Sequence, residues 1–261
     1  MSKPKRLKNQ AEKAKKADRT NELEGGGEQK KDNTESVFQG KALTFDLTVK
    51  DFPFTAKQQK MIDRALEKET NYIICQAPAG VGKTLVAVYI GLKLLQQGRV
   101  KNIYFFRMPV ESASYGLGYL RGGLDEKMEA YTLPMIDQLS ELLPQNEIKK
   151  LFEGGYIQSL PIGFLKGRSF NASFIILDEA EDLNGTDFRL SMSRLGKFSK
   201  MAIIGDQCQS NVKKSAFMNI FDLFNSEECQ DNGIHCFSFD HTDIKRNKIL
   251  GFVIERFGFL K

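Results

Sequence analysis

Gln76-Ala77-Pro78-Ala79-Gly80-Val81-Gly82-Lys83-Thr84 is the stretch that decides how this chain folds. Tyr72-Ile73-Ile74-Cys75 precedes it, a short β-branched run next to turn formers, which predicts a buried strand. After it, apolar Leu85, Val88, Leu92 and Leu95 recur at helical spacing. A strand, a small-residue loop ending in Gly-Lys-Thr, and a helix make up the layout of a phosphate-binding P-loop. Gly80 and Gly82 let the backbone curl so that successive amides converge on phosphate oxygens. The new helix adds its unpaired first-turn amides and the positive end of its dipole. The predicted cradle is Ala77, Pro78, Ala79, Gly80, Val81, Gly82, Lys83 and Thr84, with Lys83 reaching the outer phosphates and the Thr84 hydroxyl ligating Mg²⁺. Ala77 replaces the first glycine of G-x-x-x-x-G-K-[ST], a departure that is harmful only where the backbone needs a positive φ.

The chain has 261 residues, 41% hydrophobic and 27% charged, enough for one good-sized domain with a tail. Its net charge of +5 permits a nucleic-acid partner without demanding one. Cys75, Cys208, Cys229 and Cys236 form no C-x-x-C pair, which argues against a structural zinc or a disulfide framework. Cys75 and Cys236 fall in predicted strands and read as buried small apolar residues. No apolar run has the length of a membrane span and no hydrophobic signal core opens the chain, so the expectation is a cytoplasmic protein without membrane contact. Residues 1–36 are basic and almost without apolar side chains, and they predict a disordered tail ahead of a domain at 37–261. The tail reads either as an arm for nucleic acid or as a solubilising segment.

Phe174-Ile175-Ile176-Leu177-Asp178-Glu179 is the second strong signal: a doubly buried strand that delivers two acids at its carboxyl end. Asp178 is placed to hold Mg²⁺, and Glu179 to orient and deprotonate an attacking water. Three more strands are expected at 100–106, 156–160 and 201–204, with a last one at 236–239. Arg107 closes the first of these, where side chains of an α/β sheet face the ligand crevice. Phe45-Asp46-Leu47-Thr48-Val49 alternates as an edge strand would. Gln58, near the start of a predicted helix, either faces solvent or turns its amide to the edges of an adenine. Tyr115, Tyr119 and Arg121, in a glycine-rich stretch before a helix at 124–143, are either packed in turns or available to stack on bases. Gly205-Asp206-x-x-Gln209 either is only a turn or places an amide beside the outer phosphate, and Arg246, opening a closing helix, either faces solvent or is a candidate arginine finger.

Taken together these segments resemble the PhoH family of P-loop ATPases, single-domain relatives of the first lobe of superfamily-1 helicases. Phe54-Thr55-Ala56-Lys57-Gln58, Ala79–Thr84, Arg107-Met108-Pro109-Val110, Gly118–Lys127, Gly167-Arg168-Ser169-Phe170, Ile175–Ala180, Ser193–Gly196, Gly205–Gln209 and Asp243–Arg246 carry the likeness. It implies a RecA-like, doubly wound α/β domain with a mostly parallel sheet, using ATP and Mg²⁺. It also implies Gln58 as an adenine contact, and Gln209 and Arg246 as sensors of the γ-phosphate. The implied client is single-stranded RNA or DNA, worked on by a homo-oligomer such as a hexameric ring, because one lobe alone cannot grip a strand. Glu181 departs from the pattern where related motifs carry Gln, adding a negative charge near the phosphates. Two rival functions stand beside a nucleic-acid-coupled ATPase: an ATP-dependent switch with little turnover, and a P-loop kinase of a small metabolite. A GTPase is disfavoured because Asn247-Lys248-Ile249-Leu250 lacks the Asp that reads guanine.

Overall fold

The computed structural model describes residues 42–108, 124–206 and 215–244 with Ile249, Phe252 and Arg256, and at 124–131 the backbone only. The expected tail at 1–36, Tyr115, Tyr119, Arg121, Cys208, Gln209 and Arg246 lie outside these described residues.

Six strands form one sheet: β1 (Tyr72–Gln76), β2 (Asn102–Arg107), β3 (Ile157–Pro161), β4 (Ser173–Asp178), β5 (Lys200–Gly205) and β6 (Ile234–Ser238), in the order β3-β2-β4-β5-β1-β6. Every pairing is parallel. A parallel sheet needs a crossover between neighbours and so collects helices on both faces. The strands show it in their alternation. Ile73, Cys75, Ile103, Phe105, Phe174, Ile176, Ala202 and Ile204 face one core. Ile74, Tyr104, Phe106, Ile175, Leu177, Met201 and Ile203 face the other.

The first core is covered by α1 (Ala56–Leu66), α2 (Lys83–Gln96), α3 (Leu124–Leu142) and α4 (Gln145–Glu153). The second is closed by α5 (Gly185–Met192) through Phe188 and α6 (Phe217–Phe224) through Phe217 and Phe221. A short α7 (Glu227–Asp231) leads into β6. This is the doubly wound α/β architecture expected from the strand–loop–helix pattern. Helix α2 is buried on nearly all sides, wider than the single stripe of its sequence pattern. Gly91 within it explains the close fit, since a Cβ there would lie 2.8 Å from Phe174 Cδ1 and 3.2 Å from Ile103 Cδ1.

Two expectations are corrected. Residues 45–49 belong to no strand, and Phe45 lies at a bend. Their alternation does turn Phe45, Leu47 and Val49 toward the first core. The backbone, however, meets helices instead of a sheet edge: Thr48 N donates to Glu147 Oε2 (2.8 Å), and Leu47 O accepts from Gln96 Nε2 (2.7 Å). A period of two reports an extended chain with one buried side, and the partner of its backbone is decided elsewhere. Cys75 is fully buried, but Cys236 is only half-buried because β6 is a sheet edge.

Candidate functional site

The site stands at the carboxyl ends of β1, β4 and β5. Beyond β1, Ala77 N donates to Gly205 O (3.0 Å), which carries the ladder one residue into the loop before the chain turns away. Gly80 and Gly82 have φ of +78° and +76°, conformations that a side chain disfavours. Ala77 is absent from the positive-φ positions, so the missing glycine leaves the turn unstrained. Gly82 caps α2 with its backbone alone. Among the described residues, the amides of Ala79, Gly80, Gly82, Lys83 and Thr84 donate to no backbone acceptor. A run of converging, unused N–H groups at a helix N-terminus is an anion site.

Strand β5 lies between β1 and β4, so the loop and the two acids face one another across a single strand end. Thr84 Oγ1 donates to Asp178 Oδ1 at 3.2 Å. Lys83 Nζ folds back along the loop to Ala77 O at 3.5 Å. Arg107 is paired in register with Asp178, and its guanidinium forms an ion pair with Glu179. A cavity lined by Lys83, Thr84, Arg107, Pro134, Gln138, Asp178, Glu179 and Glu181 joins these groups. The predicted residues Lys83, Thr84, Asp178 and Glu179 thus meet in one place.

The acids differ in their surroundings. Burial pushes the Asp178 carboxyl above the usual range, opposed by the charges of Arg107 and Lys83 and by the Thr84 hydrogen bond. Glu181 is also pushed up, first by burial, against hydrogen bonds from the backbone amides of Glu181 and Asp206. Its carboxylate fits because position 205 is glycine, where a Cβ would lie 2.9 Å from Glu181 Oε2. Glu179 itself has φ of +54°, a strained value for a residue with a side chain, at the start of the 3-10 turn Ala180–Asp182.

On the far side of Gly80 and Gly82 a second, apolar pocket is lined by Phe52, Phe54, Gln58, Val81, Leu85, Val86 and Asp243. Gln58 is buried, and its amide is engaged at both ends. Oε1 accepts from Thr55 N (2.8 Å), and Nε2 donates to Val81 O (2.7 Å). With Gln58 N donating to Thr55 Oγ1 (3.2 Å), this is a capping box at the start of α1. The signal was present in the sequence as Thr55-x-x-Gln58. Pro134 and Gln138 carry no sequence signal, because α3 reaches the cavity only through the packing of Met135 and Leu139 on the first core.

An amide cradle at a helix start, set against a Thr–Asp pair one strand away in a parallel sheet, defines a P-loop NTPase domain. Within that class the chain belongs to the PhoH family, whose model, described as PhoH-like protein, matches residues 52–258. It is 32% identical over 193 residues to a PhoH-like protein of Bacillus subtilis, covering 74% of this chain and 60% of that one. It is 30% identical over 206 residues to one of Mycobacterium tuberculosis, covering 79% and 57%. The match therefore spans less than two thirds of either relative. Among solved structures, the chain has a partial likeness to the large terminase of a thermophilic bacteriophage (TM-score 0.43, 12% identity, 74% of this chain, 47% of that one). A weaker likeness is to the Pif1 helicase of Candida albicans (TM-score 0.33, 14% identity, 73% and 40%). Among the described residues no helix is long and apolar enough to cross a membrane.

Proposed function

We propose that this domain binds Mg²⁺–ATP on the loop Ala77–Thr84 and hydrolyses it, coupled to single-stranded RNA or DNA. The observation that carries the reading is the 3.2 Å bond between Thr84 Oγ1 and Asp178 Oδ1. It brings two hard oxygen donors from separate segments to one point in the cavity that also holds Lys83 and Glu179. Such a donor set fits Mg²⁺. When bound, the metal offsets charge on the phosphate oxygens.

The residues divide the work by chemistry. The unused amides of Ala79, Gly80, Gly82, Lys83 and Thr84 and the Lys83 ammonium hold the phosphates, and the long Lys83–Ala77 bond is readily exchanged for a phosphate oxygen. Glu179 takes a proton from the attacking water as the water oxygen bonds to the γ-phosphorus and the bridging P–O bond breaks. Arg107 holds the Glu179 carboxylate in place. Phe52, Phe54, Leu85 and Val86 offer an apolar slot for the base. Gln209 and Arg246 are assigned to the γ-phosphate in this reading. The coupling to nucleic acid, with a ring-forming homo-oligomer such as a hexamer, rests on the PhoH kinship and on the net charge of +5.

The test is phosphate release from ATP and Mg²⁺, with and without single-stranded RNA or DNA, for the wild type, Lys83→Ala and Glu179→Gln. Each substitution is expected to lower the rate about 10²–10³-fold, and a strand to raise the wild-type rate. A second reading, an ATP-dependent switch with little turnover, is favoured by the ion pair that already occupies Glu179. Tight ATP binding with no release under any condition would select it.

A further inference from the structure

We propose that Gln58 is a positioning residue for the phosphate-binding loop and does not read the base. The inference rests on the triphosphate site proposed above. Gln58 is 5% exposed, and its Nε2 donates to the carbonyl of Val81 at 2.7 Å. In a trans peptide the C=O and the following N–H point in opposite directions. Holding the Val81 carbonyl toward α1 therefore turns the Gly82 N–H away from α1, to the opposite side of its peptide plane. Gly82 accepts the resulting backbone at φ +76°, and its N–H is one of the unused cradle amides. In this way Gln58 sets the direction of an amide without touching a phosphate.

The side chain is in turn fixed from behind. Its Oε1 accepts from Thr55 N at 2.8 Å, and the Thr55 hydroxyl donates to Asp243 Oδ1 at 2.7 Å. Asp243 is 3% exposed; its other oxygen accepts from Asp240 N (3.1 Å), with Lys57 Nζ 3.3 Å away. The loop is thereby tied through the cap of α1 to the turn after β6. The Thr55 and Val81 bonds fix the plane of the Gln58 amide against the loop, so turning it toward a base would break one or both of them, leaving only its second N–H and second lone pair in the fixed orientation.

The test is calorimetric binding of ATP, GTP and inorganic tripolyphosphate, each with Mg²⁺, to the full chain and its Gln58→Met, Thr55→Val and Thr55→Ser variants. Loss of the positioning bond in Gln58→Met is expected to weaken all three ligands by the same factor, about 3–10-fold. Thr55→Val should move all three in the same direction, and Thr55→Ser, which keeps the hydroxyl, should restore them. Weaker ATP binding with tripolyphosphate unchanged would overturn the proposal, because the residue would then be reading the base. So would wild-type affinities in Gln58→Met. If that variant is unfolded in thermal melting, Thr55→Val against Thr55→Ser carries the same comparison, with a loss confined to ATP again the overturning result. A wild type that binds none of the three would instead remove the triphosphate site itself, and the proposal with it.

Discussion

Arg107, the last residue of β2, forms an ion pair with Glu179, the first residue beyond β4. The two strands are neighbours, and Arg107 stands opposite Asp178 in the register, so one guanidinium faces both acids of the site. Its Nε is buried without a hydrogen-bond partner among the described residues, and Coulombic attraction from Arg107 opposes the burial penalty on Asp178. Arg107→Ala should lower ATP turnover about tenfold or more, with a smaller change in KM, because it releases the group proposed to act in the chemical step. Steady-state kinetics check this. A faster variant would mean that the pair restrains Glu179, and would favour the switch.

Thr84→Ala removes the hydroxyl that meets Asp178 Oδ1. The Mg²⁺ concentration that supports half-maximal ATP turnover should rise about 10–100-fold, the range typical of changes around a metal site. Thr84→Ser should stay near the wild type. Titrating Mg²⁺ at fixed ATP measures both.

Asp178→Asn should stabilise the domain without nucleotide or Mg²⁺ while abolishing turnover. Burial raises the carboxyl's pKa in the folded state, so the folded protein binds the proton more tightly than the unfolded chain. Between the unfolded value and the raised one, stability falls as pH rises, and above the raised value the full penalty of the buried charge is present. Removing it should raise stability by about 0.5–2 kcal/mol, about 1–8 °C for a domain of this size. The gap between variant and wild type should close as pH falls and Asp178 takes up its proton. Thermal melting across pH decides it; a gap that does not depend on pH would be inconsistent with this cause.

Gly91→Ala sets two effects against each other. Alanine favours a helix interior over glycine by about 1 kcal/mol. Its Cβ, however, would lie 2.8 Å from the buried ring of Phe174, and overpacking a core of this kind costs about 1–3 kcal/mol. A net loss of up to about 2 kcal/mol is expected, seen as a lower urea midpoint with unchanged slope.

Much of this was legible in the chain itself because local physics wrote it there. Gly80 and Gly82 announce positive φ, and both adopt it. Apolar runs such as Phe174–Leu177 announce strands buried on both faces. The spacing of Lys83 and Thr84 places both at the first turn of α2. Other features were hidden for stated reasons. The alternation of Phe45–Val49 shows one buried side but not what its backbone bonds to. Thr55-x-x-Gln58 marks a helix cap, but nothing in it shows that the other end of the amide holds Val81. Nothing near Glu179 predicts its φ of +54°, which the surrounding fold imposes.

The sheet strands, the P-loop, the acids at the carboxyl end of β4 and the kinship with PhoH proteins are all legible from residue type and short-range spacing. The meetings of Thr84 with Asp178, of Arg107 with Glu179 and of Gln58 with Val81 exist only in the folded domain. Those contacts join residues far apart in the chain. The first two follow from the strand order β4-β5-β1 and the β2–β4 register, and the third from the placing of α1 against the loop; these arise when the sheet buries both faces at once, and no local pattern encodes them.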